Sequence, residues 1–89
     1  MADKRLNEAY AGALAWARDV DLPGDPGGTE ARLRAAQRAW VAYSDANCQV
    51  DPEASGPGRM APMLLYGCME AMTTARTDEL LALSRNTAP

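Results

Sequence analysis

The fold of this chain is decided by residues 33–50, which read LRAAQRAWVAYSDANCQV. Apolar or small side chains recur in this stretch every three or four residues, which is the spacing of one face of an α-helix. The positions on that face are Leu33, Ala36, Trp40, Tyr43, Asn47 and Val50. Asp51 and Pro52 end the pattern, because proline has no amide proton with which to continue a helix. The stretch therefore predicts one amphipathic helix.

The segment before this stretch predicts another helix. Between residues 3 and 20, apolar side chains again mark a single helical face: Leu6, Tyr10, Ala13, Leu14, Ala17 and Val20. Residues 21–28 read DLPGDPGG, and prolines and glycines at this density interrupt a helix. Thr29 is the predicted N-cap of the next helix, with Glu30 in its first turn, where a negative charge is favourable.

The segment after the stretch predicts a third helix. Residues 53–59 form a loop rich in Gly, Ser and Pro, and Pro62 suits the first turn of a helix. The third helical face carries Leu64 or Leu65, Cys68, Met72, Leu80 and Leu83, and residues 85–89 are expected to fray. No alternating run of strand length is present. The sequence thus predicts one all-α domain over residues 1–89, an antiparallel helical hairpin with an N-terminal helix.

Cys48 and Cys68 are expected to form a disulfide that staples the hairpin. Helices joined by a short loop pack antiparallel, so the end of the second helix can face a point two turns into the third. Closing about twenty residues stabilises a fold by roughly 3 kcal/mol, which matters for a thin core. The alternative is two buried free thiols; a catalytic thiol is disfavoured because the chain has no His. A disulfide indicates an oxidising compartment, hence the periplasm or the exterior.

Composition and charge exclude several classes of partner. Twelve acidic and nine basic residues leave a net charge of −3, so the basic stripe of a nucleic-acid binder is missing. No run approaches the roughly 18–20 apolar residues of a membrane span, and no signal peptide follows Met1. A mildly acidic surface suits a basic protein partner. The aromatic side chains are predicted to anchor the core: Tyr10, Trp16, Trp40, Tyr43 and Tyr66.

The block QRAWVAYSDANC at residues 37–48 resembles the central signature of the LprI-type lysozyme-inhibitor domain. The resemblance continues through a Gly/Ser-rich loop, Pro62, a second cysteine and the Thr-x-x-Arg-x-x-x-Leu stretch of residues 73–80. The opening ADKRLNEAY at residues 2–10 is similar to the first long helix of that family, so the resemblance covers about residues 2–84. The family is bacterial and exported, and it is named for a member that inhibits lysozyme. The resemblance therefore implies a helical exported domain and points to lysozyme inhibition.

The chain departs from that family pattern at two places. Ser44 stands where the family usually has a basic residue before the aspartate, so an ion pair made there is expected to be missing. Family members also commonly carry a further cysteine-bearing segment ahead of the stretch that residues 2–6 resemble. The chain is accordingly expected to be either a truncated or a natural minimal form.

Residues of the resembling block carry no evident catalytic constellation. Gln37, Arg38, Asp45 and Arg76 are predicted to be structural or solvated, with Arg38 pairing near Asp45 or with an acidic group on another helix. Trp40 and Tyr43 are predicted to pack in the core. A glycosidase holds two carboxylates about 5–10 Å apart across a cleft. Four glutamates, Glu8, Glu30, Glu70 and Glu79, are scattered over the three predicted helices, in a chain with little room for a cleft. The sequence therefore predicts no enzyme, no catalytic residue and no cofactor.

The methionines offer an alternative reading. Met60 and Met63, like Met69 and Met72, are one helical turn apart around Cys68. Thioethers at this spacing suit Cu(I), which is handled in the periplasm, whereas methionine is also a common filler of small helical cores. Core filling is the favoured interpretation, and no metal site is predicted. A structural or copper-binding envelope protein remains the alternative function.

The loop of residues 51–61 is the predicted binding element. Both its flanks are pinned by cysteines, which removes part of the entropy of ordering it on binding. Pro57 stiffens the loop, and Gly58 permits a turn that projects Arg59. An inserted guanidinium can pair bidentately with a catalytic carboxylate of a glycosidase. We expect a periplasmic or secreted protein that occludes a lysozyme or muramidase, an immunity protein against a lytic toxin being a variant. An ordinary connector with a solvated arginine is the alternative.

Overall fold

The computed structural model describes residues 2–21, 28–52, 58 and 60–86. These residues form three α-helices, α1 (Ala2–Val20), α2 (Gly28–Asn47) and α3 (Ala61–Asn86), and no strand occurs among them. The predicted all-α class is confirmed. Two boundaries differ from prediction. Helix α2 ends at Asn47, and α3 is still helical at residues 85 and 86, where fraying was expected.

The three helices alternate in direction along the bundle. Arg18, near the end of α1, contacts Glu30 in the first turn of α2, and the Cys48–Cys68 disulfide joins the end of α2 to α3. Helices α1 and α3 therefore run in the same direction, with α2 antiparallel to both. The most extensive helix contact is between α1 and α3, and the sparsest is between α2 and α3. The hairpin is thus present, but it depends on α1 for most of its packing.

The core is built from small side chains of α1. Ala13 is 2% exposed and Ala17 is fully buried, in a cluster that also holds Leu6, Ala9, Leu33 and Leu80. Alanines let neighbouring helices approach closely, and the partly buried larger side chains pack around this cluster. Those larger side chains are Tyr10, Leu14, Trp16, Trp40 and Leu83. The predicted anchoring role is therefore confirmed for Tyr10 and the two tryptophans.

The buried face of α2 is rotated from the predicted one. Ala36 and Tyr43 are exposed and Val50 lies beyond the helix, whereas Ser44 is only 1% exposed. The prediction of Tyr43 as a core residue is wrong, as is that of Tyr66 on α3. The reason is that hydrogen-bonded polar side chains occupy core-facing positions. The Ser44 hydroxyl donates to the Val41 carbonyl at 3.0 Å, which removes the cost of burying it.

Polar side chains also line the buried stripe of α3. Thr73 and Thr77 are 4% and 6% exposed, and the Thr77 hydroxyl donates to the Thr73 carbonyl at 2.8 Å. The spacing predicts Cys68, Met72, Leu80 and Leu83 on the buried face. Leu80 is buried as predicted, whereas the other three are only partly buried. Threonine has nearly the shape of valine, and its hydroxyl can make a hydrogen bond within its own helix. It can therefore pack against α1 as a valine would.

Helix α2 is capped from outside its own sequence. The Asp21 carboxylate accepts the backbone N–H groups of Thr29 and Glu30, at 2.7 and 3.2 Å. Thr29 is the second residue of the helix, so its predicted role as N-cap is wrong. Asp21 directly follows α1, and its amide bonds to the Ala17 carbonyl at 3.1 Å. One carboxylate thus satisfies two orphan donors and fixes the end of α1 to the start of α2.

Glu30 adds an ionic link at this same end. Its carboxylate accepts hydrogen bonds from Arg34 at 2.8 Å and from Arg18 at 3.1 Å. These arginines, Arg34 first, hold the pKa of Glu30 below its usual value. The pKa of Asp21 is lowered chiefly by its hydrogen bond from the Thr29 amide.

We expect the melting temperature to fall in acid for this reason. A carboxyl group whose folded-state pKa is depressed contributes stability above its unfolded pKa, and that stability is lost as the pH falls through the folded pKa. The unfolded reference values are 3.8 for Asp21 and 4.5 for Glu30. Asp21→Asn should lower the melting temperature at neutral pH and flatten its decline below about pH 4. Asp19→Asn, an exposed carboxylate of α1, is the control; an equal effect of both variants would contradict the capping role.

Candidate binding surface at the disulfide end

The disulfide joins α2 to α3, the pair of helices with the sparsest contact. Cys48 is 2% exposed, and its sulfur is bonded to that of Cys68 at 2.09 Å, with the Cα atoms 5.6 Å apart. The predicted staple is confirmed. It closes the chain between residues 48 and 68, so that both flanks of the intervening loop are anchored to the bundle.

The described part of that loop lies at the surface. Asp51, Pro52, Gly58 and Met60 are all exposed. The Ala61 amide bonds to the Gly58 carbonyl at 3.2 Å, which begins the approach to α3. A methyl group on Gly58 would meet no atom within 4 Å, so glycine is not required there by crowding. The predicted binding residues Pro57 and Arg59 lie outside the described residues.

Large apolar side chains cluster in sequence around the disulfide and are solvent-exposed. Their exposed fractions are 60% for Tyr43, 75% for Val50, 56% for Met60, 67% for Met63 and 63% for Tyr66. Scattered exposed apolar residues are ordinary, but several at one end of a small domain are typical of a binding surface. We call the end of the bundle that carries them the disulfide end. The spacing of these residues predicts them in the core, and their exposure corrects that prediction.

The two methionine pairs have different environments. Met69 and Met72 are half-buried, and the Met72 sulfur accepts a hydrogen bond from the Asn47 amide at 3.6 Å. Core filling therefore describes this pair, but it is wrong for Met60 and Met63, which are exposed. Both cysteines are in the disulfide, so a copper site here would have thioethers without a thiolate. Among the described residues no group of three or more Cys, Asp or Glu side chains is arranged to hold a metal ion.

Two of the predicted structural residues meet between α2 and α3. The Arg76 Nε donates to Gln37 Oε1 at 2.9 Å, and a terminal nitrogen of Arg76 pairs with Glu79 at 3.0 Å. The side chain of Arg76 is only 13% exposed. Arg38 and Asp45 are exposed instead, and the described residues show no ion pair for either. The expected pairing of Arg38 with an acidic group is therefore not seen in this part of the chain.

We expect Arg76→Ala to lower the free energy of unfolding by about 1–2 kcal/mol, because it leaves a half-buried amide without its charged donor. Urea unfolding measures this. Arg38→Ala, which removes the exposed arginine that follows Gln37 in sequence, should change the unfolding free energy by less than about 0.5 kcal/mol. Equal losses from both variants would contradict a specific role for the Gln37–Arg76 contact.

Ser44 occupies the place at which a basic residue was expected from the family pattern. It lies in the core beside Cys48 and not at the surface. Its hydroxyl makes a hydrogen bond within α2.

These features define a class of protein: a small helical domain, stapled by a disulfide, with exposed apolar residues beside the staple. The chain belongs to the LprI lysozyme inhibitor family, whose sequence model matches residues 1–80. It is 40% identical over 89 residues to an uncharacterized protein of Rhizobium meliloti (strain 1021). That alignment covers 92% of this chain and 63% of the relative, so the chain spans less than two thirds of that protein's length. No solved structure matches the chain.

The family is described as one of lysozyme inhibitors. None of the described helices is both long and apolar enough to cross a membrane.

Proposed function

We propose that this chain is an exported inhibitor that binds a lysozyme-type, peptidoglycan-cleaving enzyme and occludes its cleft. The observation that carries the proposal is the Cys48–Cys68 disulfide, which anchors both flanks of the segment containing residues 51–61 in a member of the LprI lysozyme inhibitor family. A loop held at both flanks has less freedom to lose on binding. Preorganised loops of this kind suit a concave enzyme site.

The blocking element in this proposal is the loop of residues 51–61, with Arg59 as the inserted side chain. Lysozyme-type enzymes cleave with a pair of carboxyl groups. A guanidinium presents two parallel donors to a carboxylate, which adds geometric specificity as well as energy. Pro57 restricts the loop backbone beside Arg59.

The proposed compartment is the periplasm or the exterior. Disulfides persist in oxidising environments and are rare in the bacterial cytosol. Lysozyme-type enzymes act on peptidoglycan outside the cytoplasm, so inhibitor and target would meet there. An immunity protein against a delivered lytic toxin would use the same chemistry.

Binding to a panel of lysozymes and bacterial muramidases tests the proposal. The oxidised protein is immobilised, and each enzyme is titrated with and without a chitin trisaccharide that fills its cleft. We expect at least one enzyme to bind, and the trisaccharide to compete with it. Binding that the sugar leaves unchanged would contradict cleft occlusion.

A copper-binding envelope protein is the second candidate, favoured by the exposure of Met60 and Met63. Exposed thioethers are accessible to Cu(I), which soft sulfur ligands prefer. Cu(I) binding that exceeds that of a methionine-free helical control, and that is lost on replacing Met60 and Met63, would support this candidate over inhibition.

A further inference from the structure

We propose that the first half of α3 presents a docking face for a basic protein surface, formed by Met63, Tyr66 and Glu70. The inference rests on the proposed function, since the basic surface is that of the enzyme which the neighbouring loop blocks. It uses only described residues and does not depend on where Arg59 lies.

The three side chains share one side of the helix. They are spaced i, i+3 and i+7, which places them one above another along α3. All three are exposed. Two long apolar side chains and one carboxylate therefore form a continuous strip about two turns long.

The strip lies on the same side of α3 as the face that α1 covers nearer the C-terminal end of α3. Tyr66 precedes Thr73, Thr77 and Leu80 by 7, 11 and 14 residues, and these intervals return to nearly the same side of a helix. Those three residues are buried, whereas Tyr66 is 63% exposed. The difference arises because α1 does not run beside Tyr66. Arg5 of α1 lies at a shallow cavity with Thr74, Thr77 and Asp78, so α1 begins several residues further along α3.

The charge around the strip selects the partner. Residues 39–75 of the sequence contain four acidic side chains, Asp45, Asp51, Glu53 and Glu70, against a single basic one, Arg59. Of the acidic side chains, Asp45, Asp51 and Glu70 are described and exposed. The arginines of α2 and α3 lie outside this range, at Arg32, Arg34, Arg38, Arg76 and Arg85. An acidic field around apolar anchors favours encounter with a basic surface and disfavours an acidic one. Tyrosine is among the residues that most often dominate the energy of such interfaces.

The test compares exposed apolar side chains at opposite ends of the bundle. Tyr66→Ser removes the proposed anchor, and Val20→Ser removes an exposed apolar side chain at the end of α1. Binding of each variant to a basic c-type lysozyme is measured at low salt. We expect Tyr66→Ser to raise the dissociation constant about 30-fold or more, as a central interface anchor does, and Val20→Ser to change it less than about threefold. Equal effects would overturn the assignment to the first half of α3. Melting temperature checks that both variants fold.

The charge is tested separately. Glu70→Gln should slow association with the basic lysozyme several-fold at low salt and reduce the dependence of the rate on salt. Asp19→Asn, at the opposite end of the bundle, should do neither. Unchanged association by Glu70→Gln would overturn the electrostatic part of the proposal.

The remaining outcomes separate this inference from the proposed function. Inhibition of only acidic muramidases, or binding that survives both α3 variants, would overturn the docking face and leave inhibition standing. Binding of the basic lysozyme through Tyr66 without inhibition would support the face and contradict cleft occlusion. Self-association lost in Tyr66→Ser would show that a second copy occupies the strip, and would overturn the proposal. Failure to bind any basic lysozyme would also overturn it.

Discussion

Reducing the Cys48–Cys68 disulfide is expected to lower the free energy of unfolding by about 3 kcal/mol, which corresponds to a fall in melting temperature of about 12–24 °C for a domain of this size. The bridge spans 20 residues of sequence, and the unfolded chain gains that loop's freedom on reduction. The effect should be large because α2 and α3 have the sparsest contact of the three helix pairs.

Two measurements check this expectation. The double variant Cys48→Ser/Cys68→Ser should melt as the reduced protein does, and reductant should not affect it further. Mass measured without reductant should show the wild type two hydrogen atoms lighter than its free-thiol form. A free-thiol mass after oxidative purification, or an unchanged melting temperature on reduction, would remove the argument for an oxidising compartment.

Arg59→Ala is expected to weaken inhibition of the target enzyme by about 2–5 kcal/mol, a loss of roughly 30-fold to several thousandfold in affinity. The loss includes the penalty of leaving a catalytic carboxylate buried and unpaired, in addition to the lost contact. Inhibition constants of the wild type and the variant, measured with the same enzyme, give the value directly.

Arg38→Ala is the matched control for that variant, since it removes an exposed arginine from a helix and not from the loop. It should leave inhibition intact. Arg59→Ala should not change the melting temperature. Equal inhibition by wild type and Arg59→Ala would contradict the loop as the blocking element and move the binding surface to a helical face, such as that of Met63 and Tyr66.

The sequence predicted the helices well because their breaks are chemically unambiguous. Pro23 and Pro26, with the glycines beside them, cannot extend α1, and Pro52 cannot extend α2, whatever the tertiary context. The disulfide was predictable for a related reason. Two antiparallel helices bring positions 48 and 68 together, and no other cysteine competes for either.

Which side chains of each helix face the core was harder to predict. A prediction from hydrophobic spacing treats tyrosine as a buried residue and serine as an exposed one. Ser44 and Thr77 are buried since each hydroxyl bonds within its own helix, a compensation that hydrophobic spacing does not detect. Tyr66 has the spacing of a core residue, but it is exposed because α1 covers only the later part of that face. The predicted lengths of α1 and α3 could have indicated that part of α3 would be left uncovered. A helix of 26 residues cannot be covered along its whole length by one of 19.

The cap of α2 was missed for a different reason. Asp21 lies eight residues before Thr29, beyond the local window in which N-caps are normally sought. The Gln37–Arg76 contact, 39 residues apart, is likewise tertiary. Both residues had been assigned a structural role, but their partnership follows only from the packing of α2 against α3.

The most direct test of the proposed function is a steady-state assay of peptidoglycan hydrolysis. Each lysozyme and muramidase of the panel is assayed at increasing concentrations of the oxidised protein. Occlusion of the cleft predicts competitive inhibition of at least one enzyme, with KM raised and kcat unchanged. No inhibition of any enzyme, or a lowered kcat at constant KM, would contradict it.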